Sequence, residues 1–290
     1  MKVVLNPDVK QIDGTRALVV AVPSDAVFHP EAEEVHGATE PLRKGHAFSF
    51  IKAIQVVNER LLTMNTNESL LFDVILMSND SEEKHSRIIG SAKHYGLNIG
   101  RFYFCQKEDY IHGLESNNVK LFLSTDAIDV CEALQKGVPA ALLYHHTDPD
   151  HQIVDQGTVD QLKVVFSGDV IGSTEETLDR LREQGFTENQ LQCLRTAKEA
   201  VKEFAVLMGQ MCRRFGLEDS PVRTSLLTTW SSRDVCARAL KTLRGWGLLV
   251  DQAFCLAGAP QSLILNTVQP HVLCLDGLCH MDGVSQWGEH

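Results

Sequence analysis

Short apolar runs alternate with longer amphipathic stretches along most of the chain. The apolar runs include residues 17–22, 70–77 and 161–166, and the amphipathic stretches include residues 47–62 and 233–246. Short apolar runs that end in turn-forming residues are typical of buried strands, whereas apolar residues three and four positions apart indicate a helix packed on one side. The pattern predicts an α/β fold with mostly parallel sheets, because strands covered on both faces are hydrophobic along their whole length.

Two parts of the chain repeat the same order of strands and helices. The strand and helix over residues 75–97 match those over residues 226–248, and Val22-Pro-Ser-Asp25 matches Phe166-Ser-Gly-Asp169. We infer an internal duplication into two tandem Rossmann-like modules, residues 17–150 and 151–290, after a weakly ordered lead-in over residues 1–16. The sequence leaves open whether the modules are separate domains or one assembly.

The composition of the chain argues against some classes of binding partner. The 290 residues carry a net charge of -11, which argues against non-specific binding to nucleic acid or to anionic membranes. The first residues lack the apolar core of a signal peptide, and no apolar run approaches the roughly 18 residues of a membrane span. We expect a cytoplasmic protein in which any anionic ligand meets a local positive site.

The stretch from Lys163 to Gly172 carries the candidate chemistry. An apolar run ends abruptly in Ser167-Gly168-Asp169, and a polar helix begins near Ser173. Such a strand delivers side chains to the carboxyl edge of a sheet, where open α/β sheets bind their ligands. The alternative is a strand-end turn in which Ser167 and Asp169 merely cap the next helix.

This stretch resembles the first motif of the haloacid dehalogenase-like phosphatases, a hydrophobic strand followed by Asp-x-Asp. In that superfamily the first Asp attacks phosphorus and the second protonates the leaving oxygen. Here Asp169 stands at the second position and Ser167 at the first. A serine hydroxyl without an evident base is a poor nucleophile and a weaker Mg²⁺ ligand than a carboxylate.

Over residues 17–287 the chain resembles the cytosolic 5'-nucleotidase I family, whose vertebrate members hydrolyse AMP and other nucleoside monophosphates. The resemblance rests on five segments in order, of which the run around Ala239-Leu-Lys-Thr-Leu-Arg244 is specific. The segments are residues 45–53, 72–79, 123–127, 237–248 and 254–260. The resemblance implies haloacid dehalogenase-like modules and a nucleoside monophosphate ligand.

The resemblance also implies roles for individual positions. Thr228 stands at the phosphate-binding threonine, and Gln261 stands where the family has a lysine. Asp169 and Asp276 are the implied Mg²⁺ ligands, although Leu275 replaces the first of the family's paired aspartates. The positions of the nucleophile, of the cationic side chain and of one Mg²⁺ ligand thus all differ from the family pattern.

Further substrate-binding candidates flank these positions. Gly168 and Thr229 adjoin the motif residues, and Ser78 and Asn79 end the equivalent strand of the first module. Lys52 lies near the amino end of the helix over residues 47–62, where it could face an anion. The alternative for Lys52 is a solvated lysine on an ordinary packing helix.

Three hypotheses on function follow. The first is a catalytically impaired nucleotidase-family protein that binds nucleoside monophosphates. The second is an active Mg²⁺-dependent 5'-nucleotidase with a shifted nucleophile, for which Asp25 is the candidate. The third is a non-catalytic regulatory or interaction subunit, in homo-oligomers or in mixed oligomers with a paralogue.

Overall fold

The computed structural model describes residues 2–29, 40–79, 82–106, 109–144, 161–216, 220–275 and 277. The first part of the chain contains β1 (Lys2–Leu5), β2 (Leu18–Pro23), α1 (Ser24–Val27), α2 (Ala47–Met64), β3 (Phe72–Ser78), α3 (Glu82–His94), β4 (Ile99–Phe104), α4 (Tyr110–Ser116), β5 (Leu121–Ser124), α5 (Ala127–Gln135) and β6 (Ala140–Leu143). The second part contains β7 (Leu162–Ser167), α6 (Gly168–Ile171), α7 (Glu175–Glu183), α8 (Glu188–Cys212), β8 (Val222–Thr228), α9 (Arg233–Gly245), β9 (Gln252–Cys255), α10 (Ser262–Val268) and β10 (Val272–Leu273).

All strands of the described residues lie in one sheet, in the order β1-β4-β3-β2-β5-β6-β10-β7-β8-β9. Strands β2 to β6 are parallel to one another, and β7 to β10 are parallel to one another. The two sets meet where β10 pairs with β6 in the antiparallel direction. The prediction of an α/β fold with mostly parallel strands is confirmed, and the carboxyl ends of the two sets lie at opposite edges of the sheet.

The second set of strands repeats the order of the first. The order β4-β3-β2-β5 corresponds to β9-β8-β7-β10. Val20 of β2 pairs with Val74 and Leu121, and Val164 of β7 pairs with Thr224 and Val272. Each set reverses its strand order once, next to β2 and next to β7, which are the topological switch points where such sheets bind ligands.

Helices cover both faces of the sheet around one continuous apolar core. Strand β7 is buried on both faces because alternate side chains of a strand point to opposite sides. Val164 and Phe166 join the main core, and Val165 joins a smaller cluster with Leu227 and Leu265 of α10. In the part of the chain that the structure describes, no helix is long and apolar enough to cross a membrane.

Several elements differ from the sequence prediction. Residues 1–16 were expected to be a weakly ordered lead-in, and residues 2–5 form the edge strand β1, which pairs with β4. The sequence predicts a helix from Glu199 to Phe215, whereas α8 begins eleven residues earlier at Glu188, since Thr187 and Gln190 form a capping box at its start. The pattern gave no indication of α4 or α10, which have seven residues each.

Candidate functional site

The site is built at the carboxyl end of β7, next to the switch point of the second strand set. Ser167 is the last residue of β7 and the N-cap of α6, a single helical turn that carries Asp169. Strands β10 and β8 flank β7 and run parallel to it, so that the carboxyl ends of all three strands lie at the same edge. The structure therefore brings Ser167, Gly168 and Asp169 close to Thr228, the last residue of β8.

Asp169 holds the loop between β8 and α9. Its side chain is only 2% exposed. Oδ2 accepts a hydrogen bond from the Thr229 N–H at 2.7 Å, and Oδ1 accepts one from the Ser231 N–H at 2.9 Å. Burial raises the pKa of this carboxyl, and the backbone N–H bonds from Thr229 and Ser231 lower it in part. The carboxylate thus fixes the loop at the edge of the sheet.

Thr228 lies directly against Gly168. A Cβ atom at residue 168 would lie 2.3 Å from Thr228 Oγ1, so only glycine fits between the strand end and this hydroxyl. Thr228 is fully buried, and its Oγ1 has no hydrogen-bond partner among the described residues. A buried hydroxyl in that state can donate to a bound acceptor.

Ser231 completes the arrangement and was missed by sequence reasoning. It is 6% exposed, and its Oγ also lacks a hydrogen-bond partner within the described ranges. The hydroxyl lies close enough to Asp169 to lower the pKa of that carboxyl, but not in the geometry of a hydrogen bond. The only sequence signal was the run of hydroxyl-bearing residues that follows β8.

Gln261 lies on a loop attached to the same edge. The Leu256 N–H donates to the Thr228 carbonyl at 2.8 Å, and the Gly258 N–H donates to the Thr229 carbonyl at 2.7 Å. Ala257 and Gly258 both have left-handed backbone angles, which make this turn tight. Gln261 follows as the exposed N-cap of α10 and makes no capping hydrogen bond through its side chain.

Ser167 itself is partly exposed and makes no capping hydrogen bond. Two basic side chains hold the segment that follows α6: Lys198 Nζ donates to the Ser173 carbonyl at 2.6 Å, and Arg238 Nε donates to the Gly172 carbonyl at 3.1 Å. Burial lowers the pKa of Lys198. These cations add positive charge behind α6.

Ser78 and Asn79 lie away from this site. Ser78 is the last residue of β3, and Asn79 follows it. Strand β3 is five strands from β7, or roughly 24 Å at the usual strand spacing. Because β3 and β7 belong to the two oppositely directed strand sets, their carboxyl ends are at opposite edges. The same holds for Asp25, an exposed residue just after β2.

Lys52 is also separate from Asp169. Its Nζ donates to the carbonyls of Tyr95 at 2.9 Å and Gly96 at 3.0 Å, at the end of α3. This turn leads into β4, six strands from β7. Lys52 therefore caps a helix in this structure, as cations near a helix C-terminus often do.

The described residues supply only part of the Mg²⁺ shell that the family resemblance implies. Both oxygens of Asp169 already accept backbone hydrogen bonds, and Ser167 offers a hydroxyl where Mg²⁺ prefers a carboxylate. The described ranges contain no group of three or more His, Cys, Asp or Glu side chains that could hold a metal ion. Asp276, the other implied ligand, lies outside the described residues.

Comparison with known proteins gives the family. The sequence profile of the 5'-nucleotidase family matches residues 10–287. Human cytosolic 5'-nucleotidase 1B is 35% identical over 256 residues, which cover 85% of this chain and 41% of the human protein. The chain thus spans about two fifths of the length of that curated relative. No solved structure matches the chain significantly. Because the profile covers nearly the whole sequence, the chain belongs to the 5'-nucleotidase family.

Proposed function

We propose that this chain binds nucleoside monophosphates such as AMP at the carboxyl edge of β7 and β8, and that it hydrolyses them slowly or not at all. The observation that carries the proposal is Ser167 at the strand end, beside Asp169 and Thr228 in ordered positions. Groups that would hold a phosphate are present, whereas the group that would attack it is a neutral hydroxyl.

The surviving groups support binding. Thr228 offers a buried hydroxyl donor, and Gly168 leaves room for it. The repeated strand order supports the haloacid dehalogenase-like interpretation, because Ser167 and Thr228 end two neighbouring strands of one set and Gln261 follows a third. We propose that residues 17–150 and 151–290 are duplicated modules that share one sheet.

The altered groups argue against rapid catalysis. Phosphoryl transfer depends on a positioned nucleophile and on neutralisation of developing charge. Ser167 has no negative charge at neutral pH, and Gln261 supplies an amide in place of a cation. Loss of one such stabilising group typically lowers a rate by roughly a hundredfold or more. The residues that remain at the site fit a binding protein better than an enzyme.

Magnesium is not part of this binding proposal. Relatives in the family are generally metal-dependent, but the Asp169 carboxylate is committed to the loop. We therefore expect AMP affinity to be the same in Mg²⁺ and in EDTA. A shifted nucleophile at Asp25 is not favoured, because that residue follows β2, whose carboxyl end lies at the opposite edge.

The test combines binding with turnover. Isothermal titration with AMP should show saturable binding, and release of inorganic phosphate should not exceed that of an Asp169→Asn blank purified in parallel. Ordinary turnover that disappears in the blank would reject the impaired-enzyme proposal. Absence of any AMP binding would reject the binding proposal.

A further inference from the structure

Two buried hydroxyls at the site lack hydrogen-bond partners among the described residues. They are Thr228 Oγ1 and Ser231 Oγ, on residues that are 0% and 6% exposed. The great majority of buried polar side chains in proteins are hydrogen-bonded, and an orphaned group commonly marks the place of a water or a bound ion. Two such groups, three residues apart, indicate one shared partner.

Both residues are held around the same carboxylate. The Ser231 N–H binds Asp169 Oδ1, which fixes Ser231 beside that side chain. Thr228 Oγ1 lies against Gly168, the residue that precedes Asp169. Both residues therefore lie against the first turn of α6, Thr228 from the end of β8 and Ser231 from the following loop.

The remaining donors define the chemistry of the partner. The backbone N–H groups of Thr229 and Ser231 are already used by Asp169. The Thr228 and Ser231 hydroxyls have no partner among the described residues, and both can donate to acceptor oxygens. A phosphoryl group carries such oxygens on one atom, so that it can accept from both hydroxyls at once.

We propose that Ser231 is a further ligand-binding residue of this site, whose hydroxyl donates to a phosphoryl oxygen of the bound nucleotide together with that of Thr228. This inference rests on the proposed binding of nucleoside monophosphates. It adds a residue outside the strand-end motifs and assigns it to the phosphate end of the ligand.

The unsatisfied state gives a distinctive expectation. Removal of the Thr228 hydroxyl, which has no partner among the described residues, should leave the free protein equally stable or more stable, since no hydrogen bond is lost. The same removal should weaken binding of the phosphoryl group. A hydroxyl with a purely structural role would give the opposite result for the free protein.

The experiment compares Ser231→Ala and Thr228→Val with wild type. Ser225→Ala is the matched control, because Ser225 is buried on β8, the strand that ends at Thr228, but lies nearer the middle of that strand. Melting temperatures are measured without ligand, and affinities for AMP, inorganic phosphate and adenosine are measured by titration. Thr228→Val should melt no lower than wild type, and Ser231→Ala should bind AMP and phosphate about tenfold more weakly, with adenosine unchanged.

The outcomes separate this inference from the proposed function. If wild type binds AMP and Ser231→Ala binds it as tightly as Ser225→Ala does, the inference fails while the proposed function stands. An equal loss of affinity for adenosine in Ser231→Ala would also overturn it. If wild type binds neither AMP nor phosphate, the proposed function fails and this inference fails with it.

Discussion

A Cβ atom on Gly168 would lie 2.3 Å from Thr228 Oγ1, which is far inside van der Waals contact. Thr228 cannot easily yield, because its β-branched side chain is stiff and fully buried at the end of β8. Leu226 lies 3.4 Å from the same Cβ position on the other side. The absence of a side chain at residue 168 is therefore what allows β7 and the Thr228 hydroxyl to meet.

Replacement of Gly168 by alanine should destabilise the protein and disrupt the site. Overpacking in a closed region costs about 1–3 kcal/mol, and the new methyl group would displace Thr228. We expect a lower denaturant midpoint and a loss of AMP binding. Gly90→Ala is the control, because Gly90 is exposed within α3 with no atom near its Cβ position, and should be neutral or stabilising. Equal stabilities of the two variants would contradict the tight contact.

The Asp169 carboxylate should be required for the order of the loop over residues 229–231. In Asp169→Asn one oxygen is replaced by an NH₂ donor, so that one of the two backbone N–H groups loses its acceptor. A buried donor left unpaired costs about 1–3 kcal/mol. Hydrogen exchange should accelerate at Thr229 or Ser231.

The exposed Asp234 in the first turn of α9 provides the comparison for that variant. Asp234→Asn also removes one negative charge near the loop, yet it should leave exchange over residues 229–231 unchanged. If exchange over residues 229–231 were as slow in Asp169→Asn as in Asp234→Asn, the carboxylate would not be what holds the loop.

The strong strands of the second half could be predicted from sequence, whereas their direction relative to the first half could not. Strand β7 contains the apolar run Val164-Val165-Phe166, and every residue of β8 except Arg223 is buried. The reversal depends on β10, where only Val272 and Leu273 pair with β6. Long-range pairing of two residues leaves no signal in the local sequence. This antiparallel pairing puts the carboxyl ends of the two strand sets at opposite edges, and so separates Ser78 and Asn79 from Asp169.

Short elements were missed for a related reason. Strand β1 is at the sheet edge with Val3 and Leu5 exposed, so that its pattern does not show a buried face. In α10, Leu263 is 72% exposed and interrupts the amphipathic pattern. Ser231 was missed because it holds Asp169 through a backbone N–H, which any residue other than proline could supply.

His271 should make stability fall in mild acid. Its Nδ1 accepts a hydrogen bond from the Lys163 N–H at 3.1 Å, and burial together with the Lys163 charge lowers its pKa from 6.5 to about 4. Between these two values the unfolded chain binds a proton that the folded chain does not. Stability from this group is therefore complete above about pH 6.5 and is lost as the pH falls toward 4, by up to about 1.4 kcal/mol per pH unit.

The pH dependence can be assigned with one substitution. His271→Asn keeps an acceptor near the position of Nδ1 but does not titrate, so its stability should change less between pH 7 and pH 5 in urea unfolding. The exposed His112 in α4, replaced in the same way, should leave the slope as in wild type. An unchanged slope in His271→Asn would show that other groups cause the acid sensitivity.

Restoration of the altered motif residues should produce phosphatase activity. Asp is as good an N-cap residue as Ser, and Ser167 is partly exposed, so Ser167→Asp should not destabilise the fold. Gln261→Lys places a cation on the exposed N-cap of α10, on the loop that is bonded to Thr228 and Thr229. The double variant should release phosphate from AMP with Mg²⁺ at least about a hundredfold faster than wild type.

The comparison that decides this prediction is Ser167→Asn combined with Gln261→Lys. Asn has the size of Asp without its nucleophilic carboxylate, so this variant should stay at the level of the wild type. If the Asp variant were equally inactive, the loss of catalysis would not lie in residues 167 and 261 alone. The next candidate would then be Leu275, which replaces one of the two neighbouring carboxylates that the family resemblance implies before Gly277.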